Sequence, residues 1–227
     1  MLRNVAANFI DIVLMIAAKG DGRALAPLGT GFVCHKSGAV LTCAHNVSED
    51  QDLCVIPVDT TEEFPQRIIN NPRAIAMKLS QIDRLNDVAL LTPRDSNFTS
   101  NVSQLIFGNV SQVPIGSSVA YIGFPYMSKG LHVHKISQSV VCGKSSNDSG
   151  TRQLHVDANV HSGNSGGPVI DLMSNSIIGI VTERFSPTGS EASVTIGDFP
   201  LGQDSTISFA TEISYGISLL KAEDLYD

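Results

Sequence analysis

HSGNSGGPV, residues 161–169, sets Ser165 between Gly163-Asn164 and Gly166-Gly167, with Pro168 closing the run. Glycine, asparagine, serine and proline are ordinary turn residues, so this stretch alone specifies only a polar bend. A serine hydroxyl becomes a nucleophile at neutral pH only when a neighbouring base takes its proton. The usual base is histidine, whose unperturbed pKa lies near the working pH. All six histidines, His35, His45, His132, His134, His155 and His161, precede Ser165. The Gly-x-Ser-x-Gly pattern of residues 163–167 is therefore not the nucleophile elbow of an α/β-hydrolase, which needs its histidine after the serine. The order histidine, acid, serine stays open.

Two upstream stretches supply that order. His45 lies in LTCAHNV, directly after GTGFVCHKSGAV, and Asp87 lies in NDVALL. Asp83 is a competing acid four residues earlier in QIDRLNDVALL. The apolar VALL after Asp87 should carry that carboxylate toward the core, whereas Asp83 sits among polar neighbours.

Around these pieces the chain reads as short β-rich runs between turn residues. They are residues 28–34, 39–44, 52–58, 87–92, 117–124, 131–141, 152–158, 168–172, 176–183 and 205–211. Regular short strands separated by Gly, Pro, Asn and Ser point to an all-β sandwich or barrel. The polar segment Arg94 to Ser103 divides them into two barrel-like halves of one domain, about 1–105 and 106–211. A C-terminal helix, about 213–225, has Ile213, Ile217, Leu220 and Leu225 at helical spacing and should tie the halves together. The stretch 186–204 is long for a hairpin and reads as a mobile or functional loop. The apolar run 5–18, interrupted by Asn8 and Asp11, is too short to span a bilayer. Within it IDIVLMIAA, residues 10–18, reads as the first buried strand rather than as part of a secretory leader.

With GTGFV, LTCAHNV, NDVALL, YIGFP, DANVHSGNSGGPV and GIVTE in this order, the chain resembles the chymotrypsin-like serine peptidases, closest to their HtrA-type branch. The resemblance implies a double β-barrel with a cleft between the barrels. It implies a serine endopeptidase in which His45 is the base, Asp87 the orienting acid and Ser165 the nucleophile, the constellation that serves as the general template for such triads. Gly163 and Ser165 would supply the oxyanion-hole N–H groups, and the Thr182 hydroxyl would reach the acid. By motif position Asn159 would form the base of the specificity pocket. Thr182, Glu183 and Arg184 would edge it, Ser208 would line its far wall, and His161 and Ser162 would touch the substrate side chain. With asparagine in place of an acid at 159, a small or uncharged polar residue is the favoured substrate side chain and an acidic one the second choice. A catalytically silent or latent scaffold, or an esterase using the same site, is the alternative reading.

The chain departs from secreted members of that family in two places. Asn46 follows His45 where they often carry a bridged cysteine, and Cys43 precedes it by two. Asn164 stands where zymogen-activated members keep an aspartate that pairs with a freed amine, so activation by clipping is not implied. Control would instead pass through loops or a regulatory protein partner. No PDZ module is expected after the helix.

Composition restricts the partners. A net charge of −7 with no basic run disfavours nucleic acid. His132 and His134 lack an adjacent third ligand, so neither a metal nor another cofactor is expected. The partner is then a protein or peptide substrate, with no membrane. The four cysteines demand no disulfide. A glycan on the Asn46 triplet would crowd His45, which favours a non-glycosylating, reducing compartment, the bacterial cytoplasm.

Overall fold

The computed structural model describes residues 1–20, 25–70, 72–95, 107–184, 194–196, 199–201 and 207–226. Six strands form the first barrel: β1 (Val13–Lys19), β2 (Leu25–Val33), β3 (Val40–Thr42), β4 (Leu53–Ile56), β5 (Ile75–Asp83) and β6 (Val88–Pro93). Their order is β1-β2-β3-β6-β5-β4, and the antiparallel pairing of β1 with both β2 and β4 closes the ring. The second barrel is built from β7 (Ser118–Gly123), β8 (Lys135–Ser146), β9 (Arg152–Asp157), β10 (Pro168–Asp171) and β11 (Ser176–Arg184). After the two-stranded ribbon β12 (Val194–Ile196) and β13 (Phe199–Leu201), β14 (Ile207–Glu212) completes it in the order β10-β11-β14-β9-β8-β7. Closure leaves neither barrel with a free strand edge.

The expected double barrel is what the chain forms, and its core explains why. β1, β3, β4 and β10 are buried along nearly their whole length, because barrel packing covers one face and the neighbouring barrel or a helix covers the other. Phe32, Leu41, Leu90, Ile122 and Ile170 are fully buried in one apolar cluster that continues from the first barrel into the second. Each such side chain stabilises the fold by roughly 1.5–3 kcal/mol. Helix α2 (Ile213–Ala222) lies across β5 and β6 of one barrel and β11 and β14 of the other, burying Ile213 and Leu220. Gly216 lets the helix approach Leu41 closely.

Three local differences have physical causes. The first strand starts at 13 rather than 10: helix α1 (Leu2–Phe9) buries Val5 and Phe9, and a 3-10 turn at 10–12 leads into β1. Strand β5 carries the half-exposed polar mixture IAMKLSQID, which hides its alternation. The second strand of the second half starts at 135 rather than 131, because a 3-10 turn at Met127–Lys129, flanked by left-handed Tyr126 and Gly130, precedes it. The stretch 186–204 contains β12 and β13, and its reading as a mobile or functional loop otherwise lies outside the described residues. No helix among the described residues is long and apolar enough to cross a membrane.

Candidate active site

His45 and Asp87 come from adjacent ends of the first barrel. His45 sits in a 3-10 turn, Ala44–Asn46, immediately after β3. Asp87 ends the tight β5–β6 turn with φ +55°, a left-handed conformation that aspartate tolerates better than most residues. Asp83 is occupied inside that turn, accepting from Asn86 N at 3.0 Å and Asn86 Nδ2 at 2.6 Å. Asp87 is therefore the acid brought to the histidine. Its Oδ1 accepts from His45 N at 2.9 Å and its Oδ2 meets His45 Nδ1 at 2.8 Å. A proton held on Nδ1 by the carboxylate leaves Nε2 as the basic nitrogen. The pair is more open than the apolar VALL run suggested: the His45 and Asp87 side chains are 49% and 30% exposed.

Ser165 belongs to a loop of the second barrel fixed by backbone geometry. Asn164 N donates to His161 O at 3.1 Å, and Gly167 N donates to Asn164 O at 3.0 Å. Gly163 has φ +98° and Gly166 has φ +92°. With a positive φ at its third residue, the turn 161–164 suits a type II geometry. A Cβ at 163 would run into the Phe124 carbonyl, and one at 166 into the Thr30 carbonyl, so both positions need glycine. Tyr126 N donates to Ser162 O at 2.8 Å. Because C=O and N–H of a trans peptide point in opposite directions, this contact turns the Gly163 N–H away from Tyr126. Among the described residues, neither the Gly163 nor the Ser165 N–H is taken up by a protein acceptor.

The Ser165 hydroxyl donates to Thr182 O at 2.6 Å. A hydroxyl has one proton, so in this conformation that proton is committed to the β11 backbone. Thr182 itself corrects an expectation: its hydroxyl donates to Phe209 O at 3.1 Å on the neighbouring β14, not to the Asp87 carboxylate. Ser208 is fully buried, with Oγ donating to Ala158 O at 2.7 Å and accepting from Val160 N at 3.2 Å. It ties two strand ends together and does not offer its hydroxyl to a ligand. Asn159 and Ser162 are exposed. The His161 ring stacks on Tyr126 at 4.8 Å, with Nδ1 2.8 Å from the Tyr126 hydroxyl. The Glu183 and Arg184 backbones lie at the end of β11, where Arg184 pairs with Ser208, and their side chains fall outside the described residues.

Three residues beside this site were not assigned a role from sequence: Thr30, Asn46 and Tyr126. Thr30 lies in the GTGFV stretch and Tyr126 directly follows YIGFP, and neither residue type marks a role there until burial and backbone conformation are known. Asn46 is buried and donates to Ser165 O at 2.9 Å and Thr42 Oγ1 at 3.1 Å. No glycan could sit there in the folded chain.

The cysteines are free, with Cys34, Cys43 and Cys54 buried and Cys142 exposed. Cys43 Sγ donates to Val181 O at 3.1 Å. Cys43, His45 and Asp87 have ligand atoms within 4.8 Å of one another, the one such group among the described residues. Each of these atoms already engages a protein partner. His132 Nδ1 accepts from Ile69 N at 3.2 Å, and His134 Nε2 bonds Val13 O at 3.0 Å, so those rings serve loop packing.

A model of the trypsin-like peptidase domain matches residues 29–180. The chain belongs to that family. Among curated relatives, a protein of Bartonella henselae named "Probable periplasmic serine endoprotease DegP-like" is 29% identical over 170 residues, covering 73% of this chain and 30% of its own. A protein of the same name from Rhizobium meliloti is 31% identical over 182 residues, covering 78% and 32%. The chain thus spans about a third of the length of the curated relatives it matches. The solved HtrA-type protease AlgW with tripeptide superposes with a TM-score of 0.70 at 19% identity, covering 98% of this chain and 63% of that one. A variant of the same protease gives 0.69 at 18%, with the same coverage. These structures share the fold. The relatives' names overturn the cytoplasmic expectation, since they are periplasmic endoproteases. That expectation rested on glycosylation triplets and unpaired cysteines, and neither excludes the periplasm: Asn46 is inaccessible and three thiols are buried.

Proposed function

We propose that this trypsin-like domain is a periplasmic serine endopeptidase in which His45, Asp87 and Ser165 form the catalytic triad. The observation that carries the proposal is the doubly bonded His45–Asp87 pair, joined through Asn46 to the Ser165 carbonyl of a glycine-lined loop whose Gly163 and Ser165 N–H groups are unclaimed. Ser165 Oγ attacks the scissile carbonyl, His45 Nε2 receives its proton, and the imidazolium returns that proton to the leaving amine. Asp87 holds the tautomer and stabilises the imidazolium. The Gly163 and Ser165 N–H groups receive the oxyanion, at about 2.7–4 kcal/mol for each donor. The periplasmic assignment follows the names of the relatives.

The Ser165–Thr182 bond fits a substrate that binds as an extended strand along β11. A substrate N–H that takes the Thr182 carbonyl frees the Ser165 hydroxyl to turn to His45. Residues Thr182 to Arg184 form that edge, with Asn159, His161 and Ser162 at the pocket and a small or uncharged polar side chain preferred. A regulatory partner would act on this same resting contact.

Digestion of an unfolded protein and of a peptide library, followed by mass spectrometry, tests the proposal. Wild type should produce internal cleavages at a consistent residue type and Ser165→Ala should produce none. Equal cleavage by both proteins, or cleavage by neither, contradicts it.

A further inference from the structure

The serine loop belongs to the second barrel, yet two of its carbonyls, those of Gly163 and Ser165, are held by the first. Thr30 of β2 is fully buried. Its hydroxyl accepts from Phe124 N at 3.1 Å and donates to Gly163 O at 2.6 Å. Its backbone N donates to Ser165 O at 2.8 Å, and its carbonyl accepts from Thr42 Oγ1 at 2.7 Å. One residue thus grips the carbonyls on both sides of Asn164. The Asn164 side chain adds nothing to this grip. It is buried, and among the described residues neither of its polar atoms has a hydrogen-bond partner.

We infer that Thr30 is a positioning residue for the oxyanion turn, its hydroxyl fixing the Gly163 carbonyl inward so that the neighbouring N–H groups converge on one point. This rests on the reading of Ser165 as nucleophile. The Gly163 carbonyl direction sets ψ at 163, while the Tyr126 contact sets the preceding peptide; together they define the turn. Phe124 N reaches the same hydroxyl, so the β7 end, the oxyanion turn and the first barrel meet on one oxygen. Loss of the Thr30 hydroxyl leaves a buried N–H and a buried C=O unpaired, and the turn is then free to leave the required geometry. Thr30 touches no reacting atom: its hydroxyl acts through Gly163, and its backbone N–H, which substitution leaves in place, holds the Ser165 carbonyl.

The test compares Thr30→Val and Thr30→Ser with wild type, using a peptide substrate, a peptidyl boronic acid that forms a tetrahedral adduct, and the product peptide as a ground-state ligand. Thr30→Val should lower kcat by roughly 10- to 100-fold, the scale of a compromised oxyanion donor. KM and product affinity should stay within about threefold, while boronate affinity falls in step with kcat. Thr30→Ser should recover kcat to within about threefold, because it keeps the hydroxyl. Should Thr30→Val lack a cooperative melt, Thr30→Cys, a weaker donor of similar size, carries the test with a smaller loss in the same direction. A variant without the hydroxyl that keeps full kcat, a loss confined to KM, or a serine variant as poor as the valine one overturns the inference. Wild type that neither cleaves peptide nor binds boronate overturns the peptidase reading instead.

Discussion

The two halves of the proposed active site are held in different ways. His45 and Asp87 carry half-open side chains, and the Asp87 carboxylate bonds both the imidazole and the backbone N–H of His45. Ser165 sits on a loop whose successive carbonyls, from His161 to Ser165, are each bonded, and whose glycines adopt backbone conformations closed to other residues. The first half is positioned by side-chain chemistry, the second by main-chain geometry. Substitutions should therefore act on the first half through charge and tautomer, leaving the fold intact. On the second half they should act through conformation.

The largest effect is expected at the acid. Asp87→Asn should reduce kcat by about 10³–10⁴-fold through the wrong imidazole tautomer, with an unchanged melting temperature. Asp83→Asn, which disturbs only the turn contact with Asn86, should stay within about threefold. Steady-state kinetics on the two variants compares the carboxylates directly, and the reverse order would reassign the acid.

Gly163→Ala comes next. Its Cβ meets the Phe124 carbonyl at a positive φ, so the turn must move. A loss of roughly 100-fold in kcat is expected, together with a lower melting temperature, unlike Asp87→Asn. Equal melting temperatures for the two variants would erase the contrast between the halves.

Asn46→Ala removes one of two donors to Ser165 O, with Thr30 N remaining. It should lower stability by about 1 kcal/mol, seen as a melting temperature roughly 2–4 °C lower. Calorimetry checks this.

The smallest effect concerns pH. Burial holds the His134 imidazole below its ordinary value, outweighing the opposing influence of the Val13 carbonyl and Asp11. The unfolded chain therefore binds the extra proton first. This part of the stability is complete above about pH 6.5 and declines as pH falls below it, toward the lower folded value. His134→Gln should flatten the fall in melting temperature between about pH 7 and 5 by on the order of 1–3 °C. An unchanged slope counts against burial of that ring as the cause.

The contrast also explains what could be read from the sequence. Histidines are few and all precede Ser165, and the stretches around His45, Asp87 and Ser165 are distinctive and ordered along the chain, so those three stood out, and short β-runs separated by turn residues pointed to barrels. Main-chain positioning leaves little trace in residue type. Thr30 and Thr42 look like strand threonines, and Asn46 like a loop asparagine, until burial and partners are known. Likewise the Thr182 hydroxyl chooses between two acceptors, Asp87 and the Phe209 carbonyl, that only strand pairing with β14 distinguishes. Strand β5 was hidden by its half-exposed polar residues, and α1 by the short apolar run it shares with β1.

The central claim is that the first barrel activates a serine carried by the second. Labelling with a fluorophosphonate, followed by mass spectrometry of the peptide containing residues 161–169, tests it most directly. One adduct is expected, on Ser165, formed by native wild type, slowed by about 10³-fold or more in Asp87→Asn, and absent from Ser165→Ala. An adduct on another serine, or labelling of Ser165 at the same rate in Asp87→Asn as in wild type, would contradict it.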